Sequence, residues 1–154
     1  MKTRWLCLGL LMALTVPAFC GATPESDNHY DELGPLLAEA DTALIYLDWW
    51  NWEMHEGMLD REPDFVFTSA SEISELARAF TNRGDYFAQC GYDGGIRFLK
   101  DGVDIVPSMI RFNVDCNQAV YHWNDSQCVS VLSPSGSVLL GELREAFAGR
   151  TDDG

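Results

Sequence analysis

Between Gly84 and Trp123 the chain runs through four short apolar stretches separated by turn residues, with a cysteine at each of two corners. Strands joined by connections this short pair with their sequence neighbours, so the stretch constrains the chain to an antiparallel sheet. Tyr86–Cys90 leads into Gly91-Tyr92-Asp93-Gly94-Gly95, read as a turn whose glycines take positive φ without penalty, and Ile96–Leu99 answers it. Asp101-Gly102 is a second hairpin signal. Val103–Val114 is long for a strand and contains Pro107, which cannot donate to a ladder, so a bulge or an edge is expected there. Asp115-Cys116-Asn117 turns the chain again, Ala119–Trp123 forms the fourth strand, and Val129–Leu132 the fifth.

The flanks supply helices and a further hairpin. Leu33, Leu37 and Ala40 share one face of a helix over Asp31–Ala40, in which Pro35 is tolerated only within the first turn. Thr42–Trp50 is rich in β-formers, and Phe65–Thr68 is extended; the two can pair across a long, irregular connection. Ile73, Leu76, Ala77 and Phe80 fall at helical spacing over Ser71–Asn82, with Ser69 or Ser71 as cap and Gly84 beyond the end. A last helix covers Ser135–Ala148. These elements make an α+β fold: an antiparallel β-meander of about five to seven strands, with helices packed on one face. The expected organisation is a leader over 1–22, one domain over 23–149, and a frayed tail over 150–154.

The leader is read from Lys2 and Arg4, the apolar run Trp5–Val16, and Pro17 followed by small residues, which is the layout of a secretory signal. The run is well short of the roughly 20 residues a spanning helix needs, so no stable membrane insertion is expected after cleavage. A cut after Cys20 or after Ala22 leaves small residues at the required positions, and either cut removes Cys20. The competing reading is a lipoprotein anchored through Cys20, although Phe19 stands where a small residue belongs. The expected location is periplasmic or extracellular.

Three cysteines then remain, an odd number, and an oxidising compartment favours one internal disulfide. In an up-and-down meander Cys90 and the Cys116 turn lie at the same end of the sheet, so Cys90–Cys116 is the expected bond, with Cys116–Cys128 as the alternative. The favoured pairing leaves Cys128 as a free thiol.

Charge narrows the partners. Without Lys2 and Arg4, 8 basic residues face 24 acidic ones, a net charge of −16. Such a surface repels nucleic-acid phosphates and anionic membranes, and it attracts a basic protein. Solubility alone is the plainer explanation of the same charge.

Catalytic signatures are sparse. His29, His55 and His122 are far apart in sequence, and no zincin or EF-hand pattern occurs, so neither metal nor other cofactor is expected. There is no Gly-x-Ser-x-Gly elbow and no glycine-rich loop ahead of a helix. A pair between Cys128 and His122 is weighed against a merely leftover thiol, since Trp123 is read as nearer the position facing the cysteine.

The unusual stretch is Trp49-Trp50-Asn51-Trp52-Glu53-Met54-His55-Glu56, which holds three of the five tryptophans. If the strand continues through it, Trp50, Trp52 and Met54 share one face and Trp49 takes the other. A two-layer domain of this size cannot bury both faces, so Trp49, Trp50, Trp52, Glu53, His55 and Glu56 form a candidate binding patch. The same rings also suit a core between sheet and helices. The functional expectation is a non-enzymatic acidic binding protein of inhibitor or immunity type. Its alternatives are a small cell-envelope hydrolase using Glu53 and Glu56, or a structural envelope protein without a specific ligand.

Overall fold

Asp101 and Gly102 both take left-handed backbone conformations, with φ of 53° and 77°, and they reverse the chain so that Lys100 faces Val103. The hairpin signalled by Asp-Gly is thus formed as a tight two-residue turn. It closes the end of the longest described strand in the computed structural model, which describes residues 28–48, 61–80, 82–83, 90–123 and 126–151.

In chain order the elements are α1 (Asn28–Leu37), β1 (Thr42–Leu47), β2 (Phe65–Phe67), α2 (Ala70–Ala77) with a 3-10 turn (Arg78–Phe80), and β3 (Asn82–Arg83). They continue with β4 (Gly94–Lys100), β5 (Val103–Asp104), β6 (Ile110–Asn113), β7 (Gln118–Trp123), β8 (Ser126–Val131) and α3 (Pro134–Thr151). Seven strands form one sheet in the order β2-β1-β4-β6-β7-β8-β3, and β5 pairs with β4 off that path. Each paired neighbour is antiparallel. The fold is α+β, with a meander over β4, β6, β7 and β8 extended by the β1–β2 hairpin.

Register decides which side chains meet. Ile45, Ile96 and Ile110 lie across one row, and Leu47, Gly94, Phe112 and Ala119 across the next. Leu33 and Leu37 of α1, Ile73, Leu76 and Ala77 of α2, Ala79 and Phe80 of the 3-10 turn, and Leu140 of α3 close over this face in one apolar core. Phe80 meets Phe98 edge-on with ring centroids 6.4 Å apart. Ser130 is a polar residue on this face, and its buried hydroxyl donates to the Phe80 carbonyl at 2.8 Å. Tyr46, Val120 and Val129, on the alternate positions, are also buried but stand outside that core.

Several elements differ from their sequence expectation, each for a physical reason. α1 begins at Asn28, so Pro35 falls inside the helix and not in its first turn. Its nitrogen cannot bond the carbonyl four residues back; the flanking Leu33 and Leu37, both fully buried, hold the helix to the core. β1 ends at Leu47, where Asp48 adopts a left-handed conformation with φ 58°; the face alternation expected through Trp49–Met54 lies outside the described residues. Gly94 and Gly95 belong to β4 and not to a turn. A Cβ at Gly94 would strike the Tyr46 carbonyl oxygen and lie 2.9 Å from Leu47 Cδ2, so glycine is needed there for close strand approach. The run Val103–Val114 splits into β5 and β6, and Pro107 lies exposed in the break while Val106 turns into the core. The strand expected over Tyr86–Cys90 lies outside the described residues, apart from Cys90 itself.

α3 starts where Ser133 accepts the Gly136 N–H through its hydroxyl at 3.1 Å. It runs to Thr151, past the expected end at Ala148. Arg150 fixes that last turn, with its guanidinium 4.2 Å from the Phe65 ring centroid and 3.2 Å from the Asp64 carbonyl oxygen. The disulfide joins Cys90 to Cys116, as the meander predicts. Cys128 is not a free thiol: it is itself disulfide-bonded, and its partner lies outside the described residues.

Candidate functional site

Leu47, at the end of β1, has backbone groups that the sheet alone does not occupy. Asp64 Oδ2 accepts the Leu47 N–H at 2.7 Å, and Arg61 Nη1 donates to the Leu47 carbonyl at 3.0 Å. Arg61 Nη2 and Asp64 Oδ1 then close the arrangement with a 2.6 Å ion pair, both side chains being largely shielded from water. The Asp64 N–H donates to the Ile45 carbonyl at 2.8 Å and carries the chain into β2. Two chain ends far apart in sequence are therefore pinned together, and the stretch between them holds the tryptophan-rich segment. Trp49, Trp50, Trp52, Glu53, His55 and Glu56 themselves lie outside the described residues. Sequence reasoning missed Arg61 and Asp64. Their signal was present as Arg61-Glu62-Pro63-Asp64, opposite charges three apart around a chain-bending proline.

Electrostatics at the surface follow from where the few cations go. Arg97 holds Asp104 in a two-pronged pair with contacts of 2.9 Å and 2.6 Å. That pairing raises the Arg97 pKa further above its ordinary value, chiefly through the hydrogen bond to Asp104. Lys100 reaches Glu39 at 2.9 Å. Arg144 bridges Asp115 at 3.1 Å and Asp93 at 3.3 Å, which ties α3 to the corner stapled by Cys90–Cys116. Arg111 lies 4.8 Å from the Tyr92 ring centroid. Against these internally engaged cations, Glu62, Glu72, Glu75, Asp101, Glu142 and Glu145 are exposed. Glu72 and Glu75 sit on α2 and Glu142 and Glu145 on α3, two helices that pack against each other on the same side of the sheet.

The disulfide corner is held by further bonds. Asp93 donates its N–H to the Phe112 carbonyl at 2.9 Å and accepts the Val114 N–H on Oδ2 at 2.7 Å. Asn113 donates to the Gly91 carbonyl and accepts the Cys116 N–H, each at 2.7 Å. These groups are absorbed in folding.

A Cys128–His122 pair is excluded by register. Tyr121, not Trp123, faces Cys128, and His122 pairs with Gln127, so its ring points to the opposite side of the sheet. Among the described residues no cluster of three or more His, Cys, Asp or Glu side chains is placed to hold a metal ion. No described helix is long and apolar enough to cross a membrane. Comparison with family models, curated proteins and solved structures finds no match to the chain.

Proposed function

We propose that the chain is a non-enzymatic acidic binding protein, exported to the periplasm or the cell exterior, that recognises a basic protein in the manner of an inhibitor or immunity protein. The observation that carries this reading is the imbalance of the described surface: Arg61, Arg97, Lys100 and Arg144 are engaged in ion pairs within the chain, while Glu72, Glu75, Glu142 and Glu145 remain exposed on the packed helices. Such a surface presents negative charge outward with little positive charge to offset it, and it steers a cationic partner into contact. The tryptophan segment, which lies in sequence between Leu47 and Arg61, is the proposed apolar anchor, because aromatic rings desolvated at the centre of an interface supply most of its affinity.

Affinity capture from extracts of the source cells tests the reading, with the exported chain and a Trp50→Ala/Trp52→Ala variant as baits. Retention of one basic protein by the first and its loss from the second, with the variant still folded, supports the proposal. No protein retained at any salt concentration from low ionic strength upward refutes it.

A further inference from the structure

Cys128 is fully buried on the core face of β8, opposite Tyr121, and it is disulfide-bonded. Its Sγ lies 3.8 Å from the Ser126 carbonyl oxygen; a disulfide sulfur carries no hydrogen, so this is a contact and not a hydrogen bond. The chain has five cysteines, and Cys90 and Cys116 bond each other, so by count the partner of Cys128 is Cys7 or Cys20. Export treats these two differently. Cys7 lies inside the apolar run Trp5–Val16, which is the part of a leader removed in processing. Cys20 stands at the leader's end, where its fate depends on which peptide bond is cut.

We propose that the leader is cut between Ala18 and Phe19, and that Cys20 remains in the exported chain as the disulfide partner of Cys128. The proposal rests on the export reading above. A cut there places small Ala18 immediately before the cleaved bond and Val16, the last residue of the apolar run, two residues earlier, with the helix-breaking Pro17 between them. Cuts after Cys20 or Ala22 discard Cys20 and strand Cys128 as an odd, buried thiol. The earlier cut leaves Cys20, Cys90, Cys116 and Cys128, an even set that forms two disulfides, as an oxidising compartment favours.

Reach is sufficient. Seven residues, or eight residue steps, separate Cys20 from the start of α1 at Asn28. Fully extended, the eight steps span at most about 26–29 Å, and Leu33 and Leu37 of α1 pack in the same core as Cys128. The bond forms by thiol–disulfide exchange with a disulfide-bearing oxidant of the export compartment. The thiols of Cys20 and Cys128 give up two protons and two electrons as their sulfurs join, and the oxidant's disulfide is reduced to a dithiol. A lipid thioether on Cys20 would occupy the same sulfur, so this pairing and the lipoprotein reading exclude each other.

The test uses the full precursor, expressed with its own leader in a secreting host. N-terminal sequencing, alkylation of the denatured unreduced protein, and non-reducing peptide mapping are read together. The expected result is Phe19 at the N-terminus, no alkylated cysteine, and a peptide containing Cys20 joined to one containing Cys128. In a Cys20→Ser chain, one thiol per molecule becomes alkylatable, at Cys128. A processed chain starting at Gly21 or Thr23, a lipid-bearing Cys20, or an alkylated Cys128 in the unaltered protein overturns the proposal. A precursor left uncleaved overturns the export reading as well, so the two failures are told apart.

Discussion

Replacing Asp64 with alanine removes the acceptor on which the β1 terminus depends. The carboxylate takes the Leu47 N–H at 2.7 Å and the Arg61 guanidinium at 2.6 Å, with the Arg61 and Asp64 side chains 17% and 12% exposed. A hydrogen bond to a charged group contributes about 1.5–3 kcal/mol net, whereas a fully exposed ion pair contributes only about 0–1 kcal/mol. Taking one bond of the first kind and a partly shielded ion pair, Asp64→Ala is expected to cost about 2–4 kcal/mol. Asp64→Asn keeps a neutral acceptor for Leu47 and is expected to lose about half as much. Urea unfolding of the two variants beside the unaltered chain reads both numbers. At a slope of about 1–3 kcal/mol per molar, the alanine variant's midpoint falls by roughly 1–2 M. A loss under about 0.5 kcal/mol for Asp64→Ala, the range of ordinary surface substitutions, would show that the clamp does not hold the two chain ends together.

The other expected outcomes concern packing, the staple and pH. Gly94→Ala drives a methyl group against the Tyr46 carbonyl oxygen and Phe112, which the sheet cannot shift, so denaturant unfolding is expected to show a loss of about 1–3 kcal/mol. Cys90→Ser/Cys116→Ser opens a loop with a sequence separation of 26, and the chain-entropy relation gives a loss of about 3.5 kcal/mol in the same assay. Asp41 has its pKa lowered, first by the Asp101 N–H it accepts at 2.7 Å and then by the Thr42 hydroxyl. A depressed carboxylate contributes stability that is present above its unfolded value and lost as pH falls through the lower folded value. Stability measured from about pH 5 down to pH 2 should therefore fall less steeply in Asp41→Asn below about pH 4; an unchanged slope contradicts the assignment.

Much of the sheet was legible because its signals are local. Asp101-Gly102 has one common use between apolar runs, and both residues take the left-handed conformations that use requires. Cys90 and Cys116 follow from strand direction alone, since a meander returns them to the same end. Glycine is ambiguous, however: Gly94 looks like turn chemistry but serves close approach between β1, β4 and β6, which depends on a register set by distant residues. Trp49 and Trp50 favour extended structure strongly enough to mask a strand end at Leu47, next to one left-handed aspartate. The exposure of acids on α2 and α3 was implicit in their helical spacing. The engagement of Arg97 and Arg144 was not, because each finds its partner only once strands or helix and sheet are brought together.

The central claim, a binding surface that works through its negative charge, is tested most directly by association kinetics with the basic protein retained in capture. Rates are compared between about 20 mM and 500 mM salt, conditions that span strong and nearly complete screening. The unaltered chain is set beside Glu72→Gln/Glu75→Gln/Glu142→Gln/Glu145→Gln. The account predicts a fall in the association rate of at least about tenfold with salt, and a several-fold slower rate for the variant at low salt, with dissociation little changed. Association that ignores both salt and the four substitutions would contradict it.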